Sequence, residues 1–398
     1  MYRSFLAAAL LACFGVGQAL AQVTSQAGAP VETLTDNRLL PPDTRGRVYV
    51  MDAVFHHMFE SRMNVFDGRS GQFLGMVPMG YNGHAQLSHD GSKVYTMTTY
   101  HSRMTRGERT DVVEVYDARS LKFEREVVLP VRRVQGLNYR NLFRQTTDGQ
   151  FIVLQNATPA VSTSVVDVQN NRFAGEITAT AGCWGVIPLP NKSRSFMTIC
   201  GDGALLSIDL NDKGQMQSQS RSARMFPVES DPVFLTHAME RDKAHFISFN
   251  GNVYTADLSA AEIKFAPIWS ILDDKDKAAN WRPGGYNITD VHHASRRMYV
   301  LMHQNGKESS HKNPAAEIWV FDLASKKRLA RIPGRDALAL SIDQSNSAPR
   351  LLTMDTVNAY IYDIAENQPK LLRTIEGAGE TALQIEAHPI TAAGAGNG

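Results

Sequence analysis

Three cysteines, twelve histidines, four tryptophans and a recurring aspartate carry what reactive chemistry this sequence offers. Cys13 lies inside an N-terminal apolar run, which leaves Cys183 and Cys200, 17 residues apart. An even pair in an exported chain favours a disulfide over a metal site or a catalytic thiol, and closing a loop of that length is worth about 3 kcal/mol. His56-His57 and His292-His293 invite a metal reading. Neighbours on a strand point to opposite faces, however, and rarely chelate one ion, so surface or capped histidines are the default. No glycine-rich nucleotide motif follows a strand, and neither a haem-attachment Cys-x-x-Cys-His nor a zinc-protease His-Glu-x-x-His occurs. A Ser-His-Asp or paired-carboxylate site is defined by geometry and not by chain order, so the sequence leaves it open, with nothing local in its favour.

The elements that would position such residues begin behind an export signal. Arg3, the apolar run from Phe5 to Val16, and Ala19-Leu20-Ala21 ahead of Gln22 predict a signal peptide over 1–21 with cleavage before Gln22. Leu10-Leu11-Ala12-Cys13 supplies the lesser, lipoprotein reading. The run is too short to span a bilayer, and no later stretch replaces it. Forty-one basic against 40 acidic residues leave no field suited to nucleic acid or an anionic membrane, so partners must be recognised by shape.

One period runs through the rest: an alternating apolar strand, an Asp, a turn and another strand. The aspartates are Asp67, Asp117, Asp167, Asp209, Asp257, Asp322 and Asp363, spaced 50, 50, 42, 48, 65 and 41 residues apart. A four-stranded propeller blade takes about 40–50 residues, so the period predicts an all-β, seven-bladed β-propeller over 46–390. An arm over 22–45 precedes it and a tail over 391–398 follows. Asp90-Gly91, Asp148-Gly149 and Asp202-Gly203 mark tight turns between strands. Each repeated Asp is read as a cap on turn amides, since seven equivalent copies cannot be one active site. The run from Arg47 to Asp52 starts one strand late and Leu383-Gln384-Ile385-Glu386 is one strand left over, so the C-terminal strand is expected to complete the first blade and close the ring.

In such a ring the loops between second and third strands emerge on one face with the connections between blades. Three are expected to be long: Ala53 to Arg62, Tyr100 to Thr110 and Gln304 to Ala316. The first carries Phe55, Met58 and Phe59, apolar groups that either meet a partner or cap the blade cores beneath them. The partner-binding reading is the one adopted.

Thr105-Arg106-Gly107-Glu108-Arg109-Thr110-Asp111, with the strand that follows it to Asp117, and Asn280-Trp281-Arg282-Pro283-Gly284-Gly285-Tyr286 resemble the heavy chains of tryptophan tryptophylquinone amine dehydrogenases. The Cys183…Cys200 pair matches that family's heavy-chain disulfide, and the likeness runs from about Arg47 to about Pro389. Arg133-Val134-Gln135-Gly136-Leu137-Asn138-Tyr139, the stretch from Phe151 to Ala157, and the stretch from Ser195 to Gly203 look closer to the aralkylamine (aromatic amine) branch than to methylamine dehydrogenase. The resemblance implies a periplasmic heterotetramer of two heavy and two light chains that oxidises primary amines to aldehyde and ammonia. Its tryptophan tryptophylquinone is carried by the light chain, and a blue copper protein of the azurin type accepts the electrons. It further implies that this chain holds no catalytic residue, cofactor or metal and is inactive alone. A heavy-chain phenylalanine gates the substrate channel in methylamine dehydrogenase. Phe55 is its nearest match here, and His56 is the alternative because the segment from Asp52 to Asp67 is one residue longer.

Two other readings fit a propeller. One is a stand-alone periplasmic binding protein, and the other is a hydrolase whose carboxylates or histidines converge at the central channel. A neighbouring reading frame encoding a small, cysteine-rich exported chain would favour the dehydrogenase over both.

Overall fold

Strands whose two faces are both covered lose the apolar-polar alternation of a half-exposed sheet, and the inner strands of this chain show it. Arg47–Asp52, Ser162–Asp167 and Ser195–Cys200 are buried at every position, whereas the outlying strand Met216–Arg224 is exposed almost throughout. The computed structural model of the chain describes residues 39–387 apart from Asp43, Arg45, Leu137 and Asn346. The expected signal segment, most of the arm and the tail lie outside the described residues.

Seven antiparallel sheets form the blades of a β-propeller. Blade 1 runs, from axis to rim, Ala382–Ala387, Arg47–Asp52, Arg62–Asp67 and Phe73–Pro78. Blade 2 is His84–Leu87, Lys93–Arg103, Arg106–Asp117 and Phe123–Leu129. Blades 3 to 7 repeat the plan, with inner strands Phe143–Gln145, Cys183–Pro188, Val233–Glu240, Thr289–His292 and Ala339–Asp343. The ring closes as the leftover strand predicts: Val48 pairs with Ala387 and Asp52 with Ala382. The 65-residue interval between Asp257 and Asp322 holds a connection between blades with the short helix Asp274–Ala278, followed by the long loop of blade 6.

Packing between blades supplies the cores. Trp319 is fully buried, its ring 5.2 Å from that of Trp281, with the Arg331 guanidinium 4.7 Å over each ring. This cluster accounts for two of the four tryptophans as core. Burying side chains of this size is worth upwards of about 2 kcal/mol each.

Six of the seven repeated aspartates cap the turn that follows them. Asp67 Oδ1, for instance, accepts from the amides of Arg69 and Ser70 at 2.8 and 2.9 Å, and Asp117, Asp167, Asp257, Asp322 and Asp363 act alike. Asp209 departs from the expectation: its partners are the Ser195 and Ser218 hydroxyls and Lys192 Nζ. Gly91, Gly149 and Gly203 take the positive φ expected of them.

One expected loop is not a loop. Residues 100 to 110 belong to a β-hairpin whose strands pair as far as Arg103 opposite Arg106. The loops of blades 1 and 6 are present, each with a 3-10 turn, over Phe55–Glu60 and Ser310–Lys312, and the strand after the second starts at Ala315.

Candidate functional site on the loop face

The turn bearing Phe55 is fixed from beneath. Asp52 ends the second strand of blade 1 with its carboxylate buried. Oδ1 accepts from the amides of Val54 at 3.1 Å and Thr381 at 3.0 Å, and Oδ2 from that of Glu380 at 2.9 Å. The chain then turns through Val54 at φ 45, and the Phe55 amide donates to Thr381 Oγ1 at 2.7 Å. The result is a turn stapled to the segment that joins blade 7 to blade 1. Phe55 is 37% exposed, Met58 and Phe59 are half-buried, and His56 and His57 face solvent. The loop thus divides the two readings of its apolar groups: Met58 and Phe59 pack partly inward, and Phe55 remains available.

An apolar groove of about 570 Å³ opens on the same face between blades 5 and 6. Its walls include Tyr139, Val233, Phe234, Leu235, Phe249 and His311, drawn from connections between blades, an inner strand and two second-to-third loops. The Phe234 and Phe249 rings lie 6.4 Å apart, and Tyr139 is 5.8 Å from Tyr286. Burial, with a smaller contribution from Lys312, lowers the pKa of His311 and so favours its neutral form. Burial, and then Tyr286, pushes the Tyr139 hydroxyl up to about 12. The Trp281 to Tyr286 stretch shapes the neighbouring wall, where Gly285 at φ 124 passes so close to Leu338 that a Cβ would sit 2.7 Å from its carbonyl oxygen. Phe55 and His56 are not among the residues lining this groove.

At the axis, side chains near the inner strands do converge. Arg140 Nε bonds Glu386 Oε1 at 2.7 Å, Arg140 Nη1 lies 3.4 Å from Asp290, and Arg144 lies 3.8 Å from Glu386. Burial opposes the charge of Arg140, but Glu386 and Asp290 outweigh it and raise its pKa, while burial takes Arg144 down to about 10. Burial, reinforced by these two arginines, pushes His237 down to about 3. Both carboxylates are therefore committed to guanidiniums, an arrangement that knits blades together. His292 and His293 are also engaged, with Ser295 Oγ at 2.8 Å and the Met239 carbonyl at 2.9 Å. Among the described residues, no three His, Cys, Asp or Glu side chains gather as metal ligands.

Cys183 and Cys200 sit directly opposite each other on adjacent strands of blade 4 and are joined as a disulfide. Across residues 43–387 the chain matches the family model described as methylamine dehydrogenase heavy chain. The chain belongs to the methylamine dehydrogenase heavy-chain family. Within this heavy-chain family it is 29% identical to the methylamine dehydrogenase heavy chain of Methylobacillus flagellatus over 317 residues, 79% of this chain and 78% of that one. It is 27% identical to that of Methylophilus methylotrophus over 349 residues, 85% of this chain and 84% of the relative. Among solved structures, a dihydro-haem d1 dehydrogenase superposes with a TM-score of 0.55 at 15% identity, covering 90% of this chain and 79% of the other. A protein of unknown function from Desulfotomaculum acetoxidans gives 0.55 at 12% identity, over 85% and 98%. At such identities these two structures speak for the propeller fold alone. The sequence did not disclose the groove, because Tyr139, Phe234, Phe249 and His311 meet only when distant loops fold onto one face.

Proposed function

We propose that this heavy chain is the non-catalytic subunit of a periplasmic dehydrogenase that oxidises aromatic primary amines, of the tyramine or phenylethylamine type, to aldehyde and ammonia. The observation that carries the reading is the family match over nearly all of the described chain, joined to a loop face with an apolar groove and the Phe55 turn. A small light chain seated on that face supplies the tryptophan tryptophylquinone, which takes two electrons from the amine and passes them singly to a blue copper protein of the azurin type. Two heavy and two light chains make the assembly. The part played by this chain is to bind and to shape: the groove gives the contact an apolar centre, and the stapled turn presents Phe55 beside the path of the amine. The disulfide is in keeping with an oxidising compartment. The aromatic preference rests on the resemblance of Arg133 to Tyr139 and Ser195 to Gly203 to the aralkylamine branch. Methylamine is the second reading, favoured by the names of the relatives.

Purification from the native periplasm without denaturant, followed by turnover with tyramine and with methylamine using an artificial acceptor, tests this. A small partner with quinone absorbance and a preference for tyramine is expected. Preference for methylamine would move the chain to the second reading, and a colourless single chain would remove the dehydrogenase altogether.

A further inference from the structure

The blade 2 hairpin belongs neither to the groove nor to the Phe55 turn. Its strands are 11 and 12 residues long, against 6 and 6 for the equivalent strands of blade 1. At about 3.3 Å per residue the extra length carries its tip about 17 to 20 Å farther out. The base is held rigidly. Fully buried Arg133 donates from Nε to Thr99 Oγ1 at 2.9 Å, from Nη1 to the Val134 carbonyl at 2.8 Å and from Nη2 to the Tyr81 carbonyl at 2.6 Å. Arg109 bridges Asp111 Oδ1 at 3.1 Å and the Arg133 carbonyl at 2.9 Å. Gly107, at φ 94, lets Ser102 Oγ accept the Glu108 amide at 3.1 Å; a Cβ there would lie 2.3 Å from that oxygen.

The tip is built against its own stability. Arg103 and Arg106 stand directly opposite in the ladder, where like charges repel, and neither bonds or pairs with a described residue. Met104 between them takes φ 62, a region non-glycine residues avoid, and is 65% exposed. Residues 102–108 are all exposed. Strain, repulsion and an exposed apolar side chain on a rigid stem point to a partner outside the chain.

We infer that this hairpin tip is a docking finger for an acidic patch on the small subunit, with carboxylates meeting Arg103 and Arg106 around a dimple that receives Met104. The inference rests on the heavy-subunit reading and names one of its contacts. The small subunit is the occupant because the tip rises from the same face as the Phe55 turn and the groove, and two unpaired guanidiniums call for carboxylates opposite. Such charges mainly speed and orient encounter, so association should weaken with salt.

The test is titration of the full chain with purified small subunit at low and high salt. Arg103→Glu should raise Kd about tenfold, and Arg103→Glu with Arg106→Glu about a hundredfold, with a flatter salt dependence. Arg103→Glu alone should leave the Tm of the chain unchanged or higher, because it turns the repelling pair into an attracting one, so weaker binding would not reflect misfolding. Equal Kd for wild type and double variant would overturn the docking finger while leaving the heavy subunit intact. Unchanged Kd with slower turnover by the copper protein would overturn it too, assigning the tip to the electron acceptor. Failure of the wild-type chain to bind the small subunit at all would overturn both readings.

Discussion

Asp52 collects three backbone amides, and two of them, from Glu380 and Thr381, lie more than 300 residues along the chain. No sequence window could reveal that, which is why position 52 reads as the end of a strand and nothing more. The loop itself marked Phe55 as an apolar group on the working face, but its channel role was legible only through resemblance, since an exposed aromatic on a loop has no periodicity to mark it. Its place on a stapled turn now makes its role testable. Phe55→Ala should change the ratio of kcat/KM between tyramine and methylamine by about tenfold, the scale of a lost wall contact, and leave assembly with the small subunit unchanged. Identical ratios would take Phe55 out of the channel. A second residue governs behaviour in acid. Burial alone would raise the Glu240 carboxyl, but hydrogen bonds from His245 and Arg296 override it and hold it down to about 2. A carboxyl lowered on folding contributes stability that is complete above its ordinary pKa of 4.5 and lost as pH falls toward 2. Melting curves between those limits should show Tm falling, and Glu240→Gln should flatten the fall; parallel slopes for the two proteins would refute the assignment.

Among the elements, those with local rules were the readable ones. An Asp that accepts an amide two or three residues on is a turn the chain announces by itself, and six blades obey it. Asp209 shows the limit of the rule, because Ser195, Ser218 and Lys192 reach its carboxylate first. The blade 2 hairpin reads as a loop for a related reason: apart from Met104, Ser102 to Arg109 is polar and contains a glycine, and only the register from Arg103 to Arg106 shows that pairing continues. In blade 4 the two cysteines lie across one antiparallel pair, 17 residues apart in sequence. Replacing both by serine should cost up to about 3 kcal/mol, read as a lower Tm, with the small subunit still bound. A Tm equal to wild type would show that the strand pair alone already holds this edge of the blade.

The whole ring is more legible than its working surface. Seven aspartates and one surplus strand sufficed to count blades and to close them, since both depend on order along the chain. The groove depends on residues from Tyr139 to His311 meeting in space, and the axis on Arg140 finding Glu386 from 246 residues away. The closing strand also sets a timetable. Ala382–Ala387 leaves the ribosome after every other described strand, yet blade 1 is incomplete without it. Until that moment Arg47–Asp52 is an open edge able to pair with another chain. Folding of this protein therefore carries a hazard of edge pairing until residues 382–387 are in place, and a premature stop before Ala382 would leave a ring that never shuts.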